Sequence, residues 1–274
     1  MKKHLLTAVF LTVITLTVLP QSTASENVTK FTLEAKPMES EKQIWVYLPA
    51  DYQNAEKRYP VVYMHDAQNL FDQATSFSEE WKIDEYLDRL ENPKAIIVGI
   101  EHGNEKRIDE LTPFANEEYG GGHGAAYVAF IVETLKPHID STYRTLPDTQ
   151  NTIIFGSSLG GLISLYAVAA YPEVFGKAGI FSPSLWYSEE IFNWIEGKKL
   201  NSEARLYFLA GKEESETLIP NIEKMVSLLQ NSGIPENNIK TQIVPEGKHN
   251  ESFWGSQFPY AYTWLLKNKK NNDE

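Results

Sequence analysis

Seven short apolar runs, separated by polar or helical sequence, constrain the fold of this chain most strongly. They are rich in β-branched residues and nearly continuous, which is typical of strands buried on both faces of a sheet. Segments with the apolar spacing of a helix alternate with them. The runs occupy residues 44–48, 60–64, 95–100, 152–155, 178–181, 206–209 and 241–244, and the helical segments residues 80–90, 127–135, 159–171, 219–229 and 253–266.

This alternation predicts an α/β fold in which a mostly parallel central sheet is flanked by helices. Residues 31–48 are predicted to form an antiparallel N-terminal segment of that sheet. The sequence has no internal repeat and no linker, so we expect one domain over residues 25–274. In such sheets the chemistry gathers at the carboxyl ends of the strands, and polar residues there are the candidates for a site.

The first 24 residues have the pattern of a secretory signal. Lysines at positions 2 and 3 precede an apolar stretch over residues 5–19, and Ser22-Thr23-Ala24 offers the small residues that a signal peptidase accepts. The stretch is closed by Pro20 and is shorter than the roughly 20 apolar residues that span a bilayer. We therefore expect cleavage after Ala24, export to the periplasm or the medium, and no membrane attachment after cleavage.

Composition excludes several classes of protein. The chain has no cysteine, which rules out disulfides, thiolate metal sites and a cysteine nucleophile. Its 25 basic residues stand against 37 acidic ones, and the resulting charge of -12 argues against a nucleic-acid partner. Ligand spacings such as H-E-x-x-H do not occur. We expect no metal and no cofactor.

The segment Gly-Ser-Ser-Leu-Gly-Gly at residues 156–161 gives G-x-S-x-G between a β-branched strand and a small-residue helix. A strand-to-helix turn this sharp needs glycine beside the serine so that strand and helix can approach. It would project Ser158 from the top of the sheet, beside the N–H groups at the start of the helix. This context favours a serine nucleophile over a plain glycine turn or a phosphate-binding loop.

A serine nucleophile needs a histidine base and a carboxylate that orients the histidine. His249, which follows the strand at 241–244, is the one histidine after Ser158. The carboxylate is open among Glu213, Glu214 and Glu216, which follow the strand at 206–209. We favour Glu214, because a short spacer usually separates the glycine of this turn from the acid, with Glu213 as the second choice.

An oxyanion hole requires two backbone N–H donors. We assign one to Leu159 and the other to Ala67, in the loop after the strand at 60–64. Trp186 and Trp254 are candidates for the wall of an acyl or aromatic pocket, although aromatic residues near helix starts often only pack. Arg107 is a candidate for substrate binding, the alternative being an internal ion pair with Glu110.

These features together resemble the "Putative esterase" family of α/β-hydrolases, which includes esterase D, feruloyl and acetyl xylan esterases and trilactone siderophore esterases. The resemblance implies that Ser158 and His249 match the family's nucleophile and base, and Glu214 its acid. Ala67 departs from the glycine usual at that position. The matching segments are YPVVYMHDAQNLFD (59–72), RIDELTP (107–113), GGGHGAAY (120–127), LKPHIDSTYR (135–144), GSSLGGLISLY (156–166), YPEVFGKAGIFSPSLW (171–186) and HNESFW (249–254).

The expected function is therefore that of an exported serine carboxylesterase, acting on a small-molecule or oligosaccharide ester such as an acyl group on a polysaccharide. Three alternatives use the same fold: a trilactone siderophore esterase, an acyltransferase with the same residues, and a catalytically inactive binding module. An iron-loaded siderophore is anionic, so this acidic protein would need a local basic patch to receive it.

Overall fold

A computed structural model describes residues 22–267, and residues 1–21 of the predicted signal peptide lie outside this range. Within the described range the chain forms one eight-stranded sheet with helices on both faces. The strands are β1 (Val28–Ala35), β2 (Ser40–Tyr47), β3 (Val61–His65), β4 (Ile96–Ile100), β5 (Thr152–Ser157), β6 (Lys177–Phe181), β7 (Arg205–Gly211) and β8 (Ile239–Val244). The helices are α1 (Ile83–Asp88), α2 (Arg107–Leu111), α3 (Gly124–Phe130), α4 (Lys136–Thr142), α5 (Leu159–Ala170), α6 (Glu190–Glu196), α7 (Leu218–Asn231) and α8 (Glu251–Leu266).

The strand order is β1-β2-β4-β3-β5-β6-β7-β8. The β1–β2 and β2–β4 pairs are antiparallel, and every other neighbouring pair is parallel. The predicted α/β-hydrolase fold, with a mostly parallel sheet and an antiparallel N-terminal segment, is confirmed.

The continuous apolarity of the inner strands follows from the two layers that cover them. In β3, Val61 and Tyr63 pack into one apolar layer, whereas Val62 and Met64 pack into the layer on the opposite face. Helices α3, α5 and α7 contribute to the first layer, and α1 and α8 contribute to the second. Both faces of the strand are therefore buried, and for this reason its apolar residues follow one another instead of alternating with polar ones.

The helix predicted over residues 80–90 is shorter in the structure. Trp81 donates its backbone N–H to the carbonyl of Asn69, and Lys82 has a φ of 59°, so helical geometry starts only at Ile83. The indole of Trp81 lies stacked on Phe181. An apolar residue at position 81 fits the spacing of a helix whether it lies in the helix or packs against a strand, so the sequence does not distinguish the two. Among the described helices, none has the length and apolarity needed to cross a membrane.

Candidate active site

The turn between β5 and α5, residues 156–160, is called the elbow below, and it holds Ser158 in a strained conformation. Ser158 has a φ of 57° and a ψ of -121°, and such backbone strain in a non-glycine residue costs on the order of 1–3 kcal/mol. Gly156 is required before it, because a Cβ there would lie 2.7 Å from the carbonyl oxygen of Gly160. The N–H of Ser158 donates to the carbonyl of Phe181 at 2.9 Å, which ties the turn to β6.

The structure brings Ser158, His249 and Glu214 together from the carboxyl ends of three strands. The Nε2 atom of His249 lies 3.0 Å from the Oγ atom of Ser158, and its Nδ1 atom lies 2.6 Å from Oε2 of Glu214. A carboxylate can only accept, so Nδ1 carries the proton and Nε2 is left to accept from the serine hydroxyl. This is the hydrogen-bond order that activates a serine hydroxyl as a nucleophile.

The second oxygen of Glu214 is held by two donors. Its Oε1 accepts from the N–H of Gly211 at 2.7 Å and from the hydroxyl of Ser182 at 2.8 Å. Ser182 in turn accepts from the indole N–H of Trp254 at 2.9 Å. Since the Glu214 side chain is only 1% exposed, these bonds fix its orientation toward His249.

The neighbouring glutamates point elsewhere. Glu213 lies 3.5 Å from Nζ of Lys248, and its side chain is 49% exposed. Glu216 is also exposed. Of the three carboxylates left open by the sequence, Glu214 is the one within hydrogen-bond distance of His249.

Ser184 is a site residue that sequence reasoning missed. Its hydroxyl lies 3.2 Å from Oγ of Ser158, and its N–H donates to the carbonyl of Ser158 at 3.1 Å. It is buried, as is Ser182. The available signal was its position, because Ser182-Pro183-Ser184 directly follows β6, the strand next to the elbow.

The two residues predicted to donate to an oxyanion, Leu159 and Ala67, lie in different elements of the structure. Leu159 is the first residue of α5, so its N–H has no acceptor within the helix. Ala67 begins a short 3₁₀ turn after β3 and is fully buried, whereas Gln68 lines the cavity of Ser158. The Cβ of Ala67 faces Gly99 of β4 so closely that a Cβ at that glycine would lie 2.8 Å away.

A cavity of about 580 Å³ opens above Ser158. Trp254 forms part of its wall, and its ring packs edge-on against His249 with a centroid distance of 4.8 Å. Trp186 does not contribute to this wall; it is 53% exposed and packs against Tyr119. The residues lining the cavity are Asp66, Gln68, Asn69, Phe77, His102, Asn104, Arg107, Ser157, Ser158, His249, Glu251 and Trp254.

Arg107 lies in the cavity wall, but its ion-pair partner is Asp66 and not Glu110. Its Nε and Nη2 atoms donate to the two oxygens of Asp66 at 2.7 and 2.9 Å. Burial alone would raise the pKa of Asp66, but the guanidinium outweighs it and holds that pKa below its usual value. Glu110 instead forms a buried ion pair with Lys42 and accepts from the N–H of Gly103, which anchors the loop that leads to Arg107.

Two further titratable groups lie near the elbow. Glu251 lines the cavity, and burial raises its pKa. His65 lies under the turn, where its ring nitrogens contact the hydroxyls of Tyr127 at 2.7 Å and Ser164 at 3.2 Å. Burial lowers the pKa of His65 to about 4, so it is a neutral packing residue at physiological pH.

Comparison with known proteins places this chain in a family. The family model described as "Putative esterase" matches residues 35–265. The uncharacterized protein YbbA of Bacillus subtilis is 28% identical over 238 residues, which cover 82% of this chain and 92% of YbbA. An endo-1,4-beta-xylanase/feruloyl esterase of Xylanibacter ruminicola is 28% identical over 155 residues, 53% of this chain and 20% of that protein.

Solved structures share the fold at lower identity. The enterochelin esterase of Shigella flexneri superposes with a TM-score of 0.72 and 17% identity, covering 89% of this chain and 59% of that one. At this identity the likeness concerns the fold alone. The family match, which spans most of the chain and includes the elbow, shows more: the chain belongs to the "Putative esterase" family of α/β-hydrolases.

Proposed function

We propose that this protein is an exported serine carboxylesterase that hydrolyses carboxylic esters through Ser158, His249 and Glu214. The observation that carries the proposal is the continuous hydrogen-bonded chain from the Ser158 hydroxyl through the His249 ring to the buried Glu214 carboxylate, at the floor of an open cavity. Export is supported by the signal pattern of residues 1–24.

In the proposed reaction, Oγ of Ser158 attacks the ester carbonyl while Nε2 of His249 takes up the hydroxyl proton. The tetrahedral intermediate collapses to an acyl-serine, and His249 returns the proton to the leaving alcohol. A water molecule then attacks the acyl-serine with His249 again as base, the bond between the acyl carbon and Oγ breaks, and His249 returns the proton to Oγ as the carboxylic acid leaves. Glu214 stays ionised throughout and stabilises the imidazolium that forms in each step.

The negative charge of the intermediate develops at the carbonyl oxygen of the ester. We assign its stabilisation to the N–H groups of Leu159 and Ala67, with the positive end of the α5 dipole behind Leu159. Removing one such donor typically costs 10²–10³-fold in kcat.

The charges of the cavity favour an uncharged substrate, and we propose acyl groups on polysaccharides. The charged side chains of its wall are Asp66, Arg107 and Glu251, and the guanidinium of Arg107 is already paired with both oxygens of Asp66. An anionic ester therefore meets the carboxylate of Glu251 without a free cation to offset it. The match to a protein named as a feruloyl esterase agrees with this substrate class.

A trilactone siderophore is the second candidate, because the fold is shared with an enterochelin esterase. Hydrolysis rates on acetylated and feruloylated oligosaccharides, a ferric trilactone and a short aryl ester separate the two. We expect the highest kcat/KM on a neutral acyl sugar. Preference for the ferric trilactone would refute this substrate assignment while leaving the esterase mechanism standing.

The mechanism itself is tested with a fluorophosphonate probe and an aryl ester. Ser158→Ala should abolish labelling and reduce turnover by roughly 10⁴-fold or more. Ser227→Ala, which alters an exposed serine of α7, is the matched control and should retain both. Full activity in Ser158→Ala would overturn the proposal, and an unlabelled, inactive wild type would indicate a binding module. A higher product yield on an added acceptor alcohol than on water would indicate an acyltransferase.

A further inference from the structure

Three carboxylates meet where α1 begins, away from the cavity of Ser158. One oxygen from each of Glu80, Asp84 and Glu85 lies within 4.8 Å of the others, and this is the one such group among the described residues. Glu80 is 5% exposed and Asp84 is fully buried. Each residue has one buried oxygen without a hydrogen-bond partner: Oε1 of Glu80, Oδ1 of Asp84 and Oε2 of Glu85.

Within residues 22–267, no cation forms an ion pair with the cluster. None of the three carboxylates belongs to an ion pair of residues 22–267. Burial, together with the negative charge of Glu85, raises the pKa of Asp84 to about 8. Carboxylates this close cannot all ionise unless a positive charge joins them. The unpartnered oxygens therefore point to a cationic ligand.

The residues on both sides of the predicted cleavage site, Thr23 before it and Ser25 after it, lie along these acids. The hydroxyl of Thr23 donates to Glu80 at 3.0 Å, and the backbone N–H of Ser25 donates to Oδ2 of Asp84 at 2.7 Å. The hydroxyl of Ser25 also donates to Asp88 at 2.6 Å. Ser25 is the residue that becomes the amino terminus when the chain is cut after Ala24.

We propose that the α-ammonium group released at Ser25 by signal cleavage is the cation that this cluster binds. Hydrolysis adds water across the Ala24–Ser25 peptide bond: the carboxylate leaves with Ala24, and the nitrogen of Ser25 takes up protons to become an ammonium group. One N–H donor at 2.7 Å from Asp84 is thereby replaced by three donors and a full positive charge. A charge-assisted hydrogen bond is about twice as strong as a neutral one.

The consequence is that the ammonium group stabilises the fold relative to a neutral nitrogen at Ser25. β1 starts at Val28, so the chain from Ser25 keeps every described strand and helix. The uncleaved precursor has an uncharged peptide nitrogen at the same place, and its buried carboxylates must be protonated or uncompensated. Cleavage also removes the hydrogen bonds that Ser22 and Thr23 make to Asp72 and Glu80, so the stabilisation that we assign is that of the ammonium group over a neutral nitrogen at Ser25.

The test measures folding stability, so its outcome is independent of esterase activity. Chains starting at Ser25 are prepared with a free and with an Nα-acetylated amino group, and urea unfolding is followed at pH 7 in EDTA. We expect the free amine to raise the folding equilibrium constant by about tenfold or more, a value typical of hydrogen bonds to charged groups. The difference should vanish in Asp84→Asn, or in Glu85→Gln if the former does not fold.

Glu91→Gln, which removes an exposed carboxylate beyond α1, is the control and should preserve the difference. Equal stability of the free and acetylated chains would overturn the proposal. A second test omits EDTA and adds about 1 mM calcium chloride, roughly 100-fold above the dissociation constant of a 10⁻⁵ M site. If calcium stabilised both chains equally, and Asp84→Asn abolished this effect, the cation would be a metal ion and the proposal would be wrong. An exported protein whose amino terminus is not Ser25 would overturn it as well.

Discussion

Glu214→Gln is the substitution whose effect follows most directly from the geometry. The two donors on Oε1, from Gly211 and Ser182, will also bind the amide oxygen of glutamine and hold it at that position. The amide NH₂ group must then face Nδ1 of His249, where the carboxylate oxygen lies 2.6 Å away in the wild type. Because NH₂ donates, Nδ1 has to accept, and the proton of the ring moves to Nε2.

A ring protonated at Nε2 cannot take the proton of Ser158. The corresponding Asp→Asn change in a serine-protease triad costs about 10⁴-fold in kcat, which equals roughly 5 kcal/mol of activation free energy. We expect the same loss here, with little change in KM or thermal stability, since the side chains are isosteric and the Oε1 bonds persist. The assay is steady-state hydrolysis of an aryl ester at pH 7.

The matched control is Glu213→Gln, which alters the adjacent half-exposed carboxylate paired with Lys248. It should hydrolyse the ester at the wild-type rate. If Glu214→Gln keeps more than a tenth of the activity, or if Glu213→Gln loses as much, then the hydrogen-bond argument for Glu214 is wrong.

Three further predictions concern the support of the elbow. Ser182→Ala should lower kcat by roughly tenfold, because Glu214 loses one hydrogen bond to its charged carboxylate. It should also lower the melting temperature, because the indole N–H of Trp254 loses its acceptor. Unchanged kinetics would show that Ser182 does not position Glu214. Gly156→Ala should destabilise the fold by about 2 kcal/mol or more in urea titrations, because its methyl group meets Gly160 at 2.7 Å; a neutral result would show that the turn relaxes. For His65, the pKa is about 4 in the folded state and 6.5 in the unfolded state, so the unfolded state binds more protons between these pH values. The free energy of unfolding should therefore fall by roughly 3 kcal/mol as the pH falls through this window. His65→Gln should flatten this slope in urea titrations at several pH values.

The order of strands and helices could be predicted because it rests on local patterning. A strand covered on both faces needs a continuous apolar run, and such runs are visible in the sequence without knowledge of their neighbours. Ser158 and His249 were equally accessible, the first through its glycines and the second because no other histidine follows.

The choice among the glutamates was less accessible to sequence. Glu213 and Glu214 are adjacent, and Oε1 of Glu214 is held by the local N–H of Gly211 and by the hydroxyl of Ser182, which reaches it through a tertiary contact that the sequence does not reveal. The ion pair of Arg107 with Asp66 depends in the same way on a loop that follows a different strand. Glu110 lies only three positions from Arg107 in the sequence, and this proximity is why the sequence suggests it as the partner.

The contact between Ala67 and Gly99 gives the departure from the family's usual glycine a structural explanation. The space between the loop after β3 and strand β4 holds one methyl group, and in this chain the loop provides it. The two positions are therefore coupled: with glycine at position 67, a Cβ at Gly99 would meet only the ring of Phe71 at 3.1 Å, which has to shift slightly, and the Cα of residue 67 at 3.4 Å. In relatives with the loop glycine we expect residues larger than glycine to appear on the strand, so that this pair of positions varies together through evolution and preserves the backbone of the loop.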